Sequence, residues 1–208
     1  MSNKILDSTL LSLSQTRNVV TERQLQAIEA LWIAITTLAR DIAAIVTLQD
    51  ILLPEEFDTA FKNLTMVNSM NEIKKEPILQ TMGENMEKVQ LSQLYVRSKL
   101  WAAYNDCIVV QARVMHVFFA NRSKKKLRPW REDKPIQHIM EKLNREESDF
   151  VLQIPLGQLN RLLGVLRQRF LTEASISISG EEAAKYHLEQ ASQFADDVEM
   201  RRSQILGK

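Results

Sequence analysis

Apolar residues recur at intervals of three and four along much of this chain, the spacing that lines up side chains on one face of an α-helix. The strongest pattern covers residues 21–52, with Thr21 as the predicted N-cap and Pro54 as the stop. A wide apolar face predicts contact with more than one neighbouring helix. Residues 5–13 form a predicted short helix, which a polar connector joins to the long one. The main apolar stripe of the long helix contains Leu25, Ile28, Trp32, Ile35, Ala39, Ile42 and Val46.

A second long helix is predicted over residues 85–121. Most of its circumference is apolar, which is typical of a helix at the centre of a fold. Between the two long helices, the pattern predicts a helix over residues 55–75 and a short helical piece over residues 77–82, interrupted at Pro77. The repeat that identifies the second long helix recurs every seven residues at Leu94, Trp101, Ile108 and Met115.

The C-terminal third is predicted to contain shorter elements. Asp133 is the predicted N-cap of a short helix, residues 144–149 form a charged break, and residues 150–154 are the only candidate for a strand. A helix is predicted over residues 155–173, and after the stretch SISISG a last helix runs to residue 206 with Ser179 as its cap. The expected inward-facing residues of these helices are Ile136, Ile139, Met140, Leu143, Leu159, Leu162, Leu163, Leu166 and Phe170.

These elements predict an all-α protein, a bundle of five to seven helices with the 21–52 and 85–121 helices as its spine. Only five Gly and five Pro punctuate the chain, which favours long helices. We expect a single domain over residues 1–208. A weak boundary at residues 144–155 separates an N-terminal bundle from a C-terminal helical pair.

Composition narrows the class of protein. Lys and Arg total 27 against 26 Asp and Glu, so nucleic acid gripped over the whole surface is not expected. The single cysteine, Cys107, excludes an intramolecular disulfide and any multi-cysteine metal site, and its apolar surroundings indicate an inert buried thiol. Charged residues interrupt both of the most apolar stretches, and the N-terminus lacks a secretory pattern. We therefore expect a cytoplasmic protein without a membrane span.

Motifs for common enzyme chemistry are missing from the sequence. It has no glycine-rich phosphate loop, no GxSxG elbow and no HExxH pair. The three histidines, His116, His138 and His187, lie on three different predicted helices, so a metal site is not expected. We expect no cofactor.

One short pattern resembles a catalytic signature. Arg131 and His138 are separated by six residues, and this spacing is similar to the Arg–x(4–6)–His signature of HEPN ribonucleases, which are also helical bundles. The resemblance implies that His138 assists attack by a ribose hydroxyl while Arg131 stabilises the phosphate, across a dimer interface. The match covers eight residues and departs from the family's common form, because Glu132 follows the arginine and Pro135 lies inside the motif.

The densest charge lies in the stretch NRSKKKLRPWRED, residues 121–133. Its cations are candidates for binding phosphates, and its tryptophan for stacking on a base. A solvated connector is the alternative, with Trp130 next to Pro129 sealing the end of the bundle. The loop could also meet the acidic last helix of the same chain or of another copy. The candidate anion-binding residues are Arg122, Lys124, Lys125, Lys126, Arg128, Trp130 and Arg131.

Three polar residues follow one line of the second long helix at seven-residue spacing. Arg97, Tyr104 and Gln111 run beside its apolar stripe, which makes them candidates for specifying a partner helix or a register. A second interpretation is that they bind a small polar ligand. The third is that they find polar partners inside the fold.

Three functional hypotheses follow. The first is a non-enzymatic interaction or regulatory accessory protein that acts by self-association or through a protein partner, because the apolar helix faces exceed what a minimal bundle needs. The second is a nucleic-acid-binding accessory factor that uses the loop at residues 122–131. The third is a HEPN-like ribonuclease with Arg131 and His138, the only enzyme class that a motif supports.

Overall fold

The computed structural model describes the backbone of residues 2–179 and the side chains of residues 21–179. This part of the chain contains α-helices and short 3-10 turns and no strand, so the predicted all-α class is confirmed. The 3-10 turns are Pro54–Glu56, Ala60–Lys62 and Trp130–Glu132. The helices are α1 (Ser2–Asp41), α2 (Ala43–Ile51), α3 (Leu64–Glu72), α4 (Lys75–Ser92), α5 (Ser98–Arg122), α6 (Lys134–Met140), α7 (Arg145–Leu152) and α8 (Gln158–Ser179).

Two helix pairs organise the bundle. The most extensive packing joins α1 to α4 and α5 to α8, while α2 packs against both α5 and α8. The rings of Trp32 in α1 and Phe170 in α8 stack with centroids 5.9 Å apart. One cluster of buried residues extends through these helices and includes Val114 and Leu162, which lie on opposite sides of residues 144–155.

The first predicted long helix differs from the structure at both ends. Helix α1 begins at Ser2 and passes through Thr21 without a break, so the cap at Thr21 and the separate helix over residues 5–13 were wrong. No Gly or Pro occurs before Pro54, so no helix-breaking residue separates residues 5–13 from the helix predicted to begin at Thr21. At the buried Ile42 the axis turns by 56° into α2. No single described helix is long and apolar enough to cross a membrane, although this bent pair reaches that length and composition together.

The second predicted long helix is also divided differently. Residues 85–92 belong to α4, and α5 begins only at Ser98, so the two helices of the predicted spine do not have the predicted bounds. Pro77 lies in the first turn of α4, where its missing N–H leaves no hydrogen bond unmade, and it does not interrupt the helix. The predicted helix over residues 55–75 is replaced by two 3-10 turns and α3, whose N-cap Asn63 accepts a hydrogen bond from the N–H of Met66 at 3.2 Å.

The C-terminal predictions were partly confirmed. Ile136 and Ile139 of α6 are buried, as are the expected core residues of α8. Asp133 is at the N-cap position, but its carboxylate accepts hydrogen bonds from Arg113 instead, with Arg113 Nη2 at 2.6 Å from Oδ2.

The charged break at residues 144–149 and the strand at residues 150–154 were both wrong, because α7 occupies this region. Asn144 caps it: the Glu147 N–H donates to Asn144 Oδ1, and the Asn144 N–H donates to Glu147 Oε2, both at 2.9 Å. Helix α8 continues through the predicted connection to Ser179. The predicted last helix, beyond residue 179, lies outside the described residues.

Candidate functional site

The basic loop, residues 122–131, is anchored through its hydrophobic side chains. Leu127 and Trp130 are buried, with 4% and 3% of their surfaces exposed. The buried Gln49 of α2 holds the backbone between them: its Nε2 donates to the carbonyl of Arg128 and its Oε1 accepts from the N–H of Trp130, both at 3.2 Å. In this conformation Trp130 therefore seals the bundle, and its indole is not available to stack on a base.

Arg122, at the start of the loop, is used inside the fold. Its Nη1 donates to the carbonyl of Met70 at 2.6 Å and to the carbonyl of Ile73 at 2.8 Å, at the C-terminal end of α3. Its guanidinium also lies 4.8 Å from the ring centre of Phe119. A cation at this position satisfies carbonyls that the helix leaves without donors. Arg122 thus joins α3 to α5.

Four of the loop's cations remain exposed. Lys124, Lys125 and Lys126 point into solvent around a tight turn in which Lys125 has a φ of 53°. Arg128 is also exposed, and its Nε lies 3.9 Å from a carboxylate oxygen of Glu132. The positive surface of this loop is therefore concentrated on its three consecutive lysines.

Arg131 and His138 have separate partners. Arg131 Nη2 donates to the carbonyl of Pro155 at 3.4 Å, and its guanidinium lies 5.5 Å from the ring centre of Trp130. Burial lowers the pKa of Arg131, and the negative charge of Asp50 opposes that shift. His138 is on the exposed face of α6, with Nδ1 at 3.3 Å from Glu141 Oε2. Among the described residues, Arg131 and His138 do not contact each other. The ribonuclease hypothesis stays a prediction.

The polar line of the second long helix points mostly into the protein. Arg97 is the N-cap residue of α5 and is half-buried. Tyr104 and Gln111 are buried, and Gln111 Nε2 donates to the carbonyl of Ile35 in α1 at 3.2 Å. In this conformation Tyr104 and Gln111 contact the chain's own helices, and Cys107 beside them is a buried free thiol whose pKa burial raises to about 12.

An exposed apolar surface lies where the sequence patterns indicated a strand. Residues 150–156, here called the apolar segment, comprise the last residues of α7 and most of its connection to α8, and their sequence FVLQIPL carries no charge. The buried Val151 anchors it. The large exposed side chains of the segment are Phe150 (51%), Leu152 (47%), Ile154 (53%) and Leu156 (44%).

Arg161, from the first turns of α8, fixes the backbone of the apolar segment. Its Nε donates to the carbonyl of Val151 at 3.1 Å, and its Nη2 donates to the carbonyls of Ile154 at 2.5 Å and Leu156 at 2.9 Å. Hydrogen bonds from a charged donor are stronger than those between neutral groups. The exposed hydrophobic side chains are therefore presented by a backbone with a defined shape.

Asp50 of α2 fixes the backbone that directly follows the segment. Its carboxylate accepts from the N–H groups of Leu159 at 2.8 Å and Asn160 at 2.9 Å, and it thereby caps α8. Its carbonyl accepts from the N–H of Gly157, whose φ of 72° is in the region that favours glycine. Burial raises the pKa of Asp50, and the two backbone hydrogen bonds oppose this shift.

Side chains that could bind a metal ion are not clustered among the described residues. Within them, no group of three or more His, Cys, Asp or Glu side chains is placed to hold a metal ion. No protein-family model, curated protein or solved structure matches this chain.

Proposed function

We propose that this protein is a non-enzymatic interaction protein that associates with a second copy of itself through the apolar segment. The main support for this proposal is that four large apolar side chains, each about half exposed, occur within seven consecutive residues. Contiguous exposed apolar surface typically marks an interaction site. The absence of charge in the segment lets the same patch face itself across a twofold axis without repulsion between like charges.

The rigid backbone of the segment favours binding energetically. Burying the exposed half of a large apolar side chain contributes about 1 kcal/mol, by proportion from the value for complete burial. A loop that had to become ordered on binding would lose part of this gain to conformational entropy. Because Arg161 already binds three carbonyls of the segment and Asp50 caps the helix that follows it, we expect that loss to be small.

The mass of the protein in solution tests this proposal. We expect wild type to exceed the mass of one chain in sedimentation and light scattering at micromolar concentrations, and the variant Leu152→Glu/Ile154→Glu to have the mass of one chain. The matched control is Leu64→Glu/Leu94→Glu, which places the same charges on side chains that are 74% and 75% exposed elsewhere. A monomeric wild type, or equal dissociation of the control variant, would contradict the proposal.

A second candidate function is binding of nucleic acid by the basic loop, favoured by the three consecutive exposed lysines at residues 124–126. Contacts to phosphates release counterions, so such binding weakens steeply with salt. A gel-shift titration at two salt concentrations tests it with the triple variant Lys124→Ala/Lys125→Ala/Lys126→Ala.

The matched control for that titration removes three exposed lysines from other places, Lys62, Lys75 and Lys88. If the loop binds phosphates, its triple variant loses affinity and has a shallower salt dependence, while the control retains both. Equal effects of the two variants would indicate that only net charge matters.

A further inference from the structure

A cleft of about 150 Å³ opens between α1, α4 and α5. Its floor is formed by Ala34 and Leu38, which are buried in α1. Met82 and Met86 of α4 line one wall, and Tyr104 of α5 lines the other. The small side chain of Ala34 leaves space between helices that larger residues would fill. The cleft is thus part of the helix packing and does not depend on a loop.

The lining of this cleft contains no Asp, Glu, Lys, Arg or His. Four other clefts in the described part of the chain each include charged side chains, among them Arg169, Lys74, Arg23 and Arg113. Transferring a charged group into an apolar site without a partner is strongly unfavourable. The cleft therefore fits an uncharged molecule.

Two polar groups in the lining are placed to orient such a molecule. The hydroxyl of the buried Tyr104 makes no hydrogen bond to another described residue, and burial raises the pKa of this tyrosine to about 12, so the O–H stays a neutral donor. Asn85 of α4 donates from Nδ2 to the carbonyl of Thr81 at 3.0 Å, which leaves its Oδ1 as an acceptor. Ligand sites commonly combine an apolar lining with a few such polar groups.

The volume and the methionines favour an aromatic ligand. An apolar cavity of this volume is large enough for a single benzene ring. Methionine sulfur interacts favourably with aromatic rings, and its flexible side chain adapts to their outline. Met82 is half-buried and Met86 is exposed at the rim, where it can close over a bound ring.

We propose that this cleft is a binding site for a small uncharged aromatic alcohol of the phenol class. The ring lies between the methionines and the floor of the cleft, the Tyr104 hydroxyl donates to the ligand oxygen, and the ligand hydroxyl donates to Asn85 Oδ1. This activity is separate from self-association, because none of the lining residues belongs to the apolar segment.

Titration of the full chain with phenol and with toluene tests the proposal, followed by ligand-observed NMR and by tryptophan fluorescence. Trp101 is a suitable reporter, since its ring centroid is 5.2 Å from that of Tyr104. We expect phenol to bind more tightly than toluene to wild type. Tyr104→Phe should weaken phenol roughly 2- to 10-fold, the effect of one hydrogen bond, and leave toluene unchanged. Tyr95→Phe, which removes a hydroxyl that Arg23 binds outside the cleft, should change neither.

Filling the cleft provides an independent variant. Thr81→Leu adds volume at a half-buried lining position and should weaken both ligands. Circular dichroism verifies that each variant is folded, and Asn85→Ala tests the acceptor if Tyr104→Phe does not fold. The proposal is overturned if neither compound binds at millimolar concentration, if phenol has no advantage over toluene, or if Thr81→Leu leaves binding unchanged.

Discussion

The basic loop and the apolar segment are two connectors that the fold fixes by similar means. In each, a polar side chain from a neighbouring helix bonds the connector's backbone: Gln49 in the basic loop and Arg161 in the apolar segment. Asp50 caps α8, directly after the segment. Arg131 joins the two regions, because its guanidinium donates to the carbonyl of Pro155. Both connectors are therefore ordered parts of the structure.

They differ in which side chains they turn outward. The basic loop buries Leu127 and Trp130 and exposes lysines, as expected of an ordinary solvated connector. The apolar segment exposes its hydrophobic side chains and buries only Val151 among the residues at 150–156. A high density of charge needs no partner other than water, whereas exposed apolar area does gain from one. Of the two connectors, the apolar segment therefore gains more from contact with a partner.

The largest expected effect comes from removing the anchor of the basic loop. Trp130→Ala should lower the free energy of unfolding by about 3–5 kcal/mol, because it leaves a cavity at a side chain that is 3% exposed. Urea unfolding followed by circular dichroism measures this. Arg128→Ala, an exposed neighbour, should change the free energy by less than about 0.5 kcal/mol. A loss below about 1 kcal/mol for Trp130→Ala would show that the loop is not fixed in this way.

The next effect tests whether the apolar segment is rigid. Arg161→Met should cost about 2–3 kcal/mol, because it removes a charged donor from three carbonyls. It should also raise hydrogen exchange of the backbone around residues 151–157 and weaken self-association. Arg145→Met is the control, since Arg145 is 94% exposed on α7. Equal effects of the two substitutions on exchange would contradict a specific role for Arg161.

The helical pattern predicted the inward faces well wherever one helix packs in a regular way. Ile136 and Ile139 in α6, and Leu159, Leu162 and Phe170 in α8, are buried as their spacing indicated. These residues follow the helical repeat, which depends only on neighbours three or four positions away. The fold class follows from the same local rule.

The conformations of the basic loop and of the connection into α8 depend on residues that are distant in the sequence. Gln49 and Trp130 are 81 residues apart, and Asp50 caps a helix at Leu159, 109 residues away. Neither pairing leaves a signal in the local sequence. Residues 150–154 resembled a strand because they are apolar, but the capping box between Asn144 and Glu147 begins a helix there. The capping box could have been recognised in the sequence, whereas the exposure of Phe150 could not.

A smaller effect, dependent on pH, tests the anchor of α7, the helix that leads into the apolar segment. Arg169 in α8 donates to both carboxylate oxygens of Glu147, with Nε at 2.7 Å from Oε1, and these hydrogen bonds lower the pKa of Glu147. A carboxyl whose pKa is lower in the folded state stabilises the fold above its unfolded pKa, and this is lost as the pH falls through the folded pKa. Glu147→Gln should therefore cost about 1–2 kcal/mol at pH 7.

Urea unfolding from pH 7 into the acid range measures this dependence. The difference between wild type and Glu147→Gln should shrink once wild type has bound a proton at Glu147. The matched control is Glu146→Gln, which removes an exposed charge at the adjacent position of the same helical turn. If the control reproduced the loss at pH 7, the effect would belong to the helix N-terminus and not to the contact between α7 and α8.

The smallest effect separates the structural cations of the basic loop from its solvated ones. The triple variant Lys124→Ala/Lys125→Ala/Lys126→Ala should change the free energy of unfolding by less than about 0.5 kcal/mol, because these side chains are exposed. Arg122→Ala, one substitution in the same loop, should cost more than about 1 kcal/mol, because two carbonyls of α3 and its C-cap lose their donor. Equal stabilities would mean that Arg122 is as solvated as the lysines. The expected order would instead show that a cationic stretch contains both a fixed structural residue and a separate, exposed charge that remains free to bind.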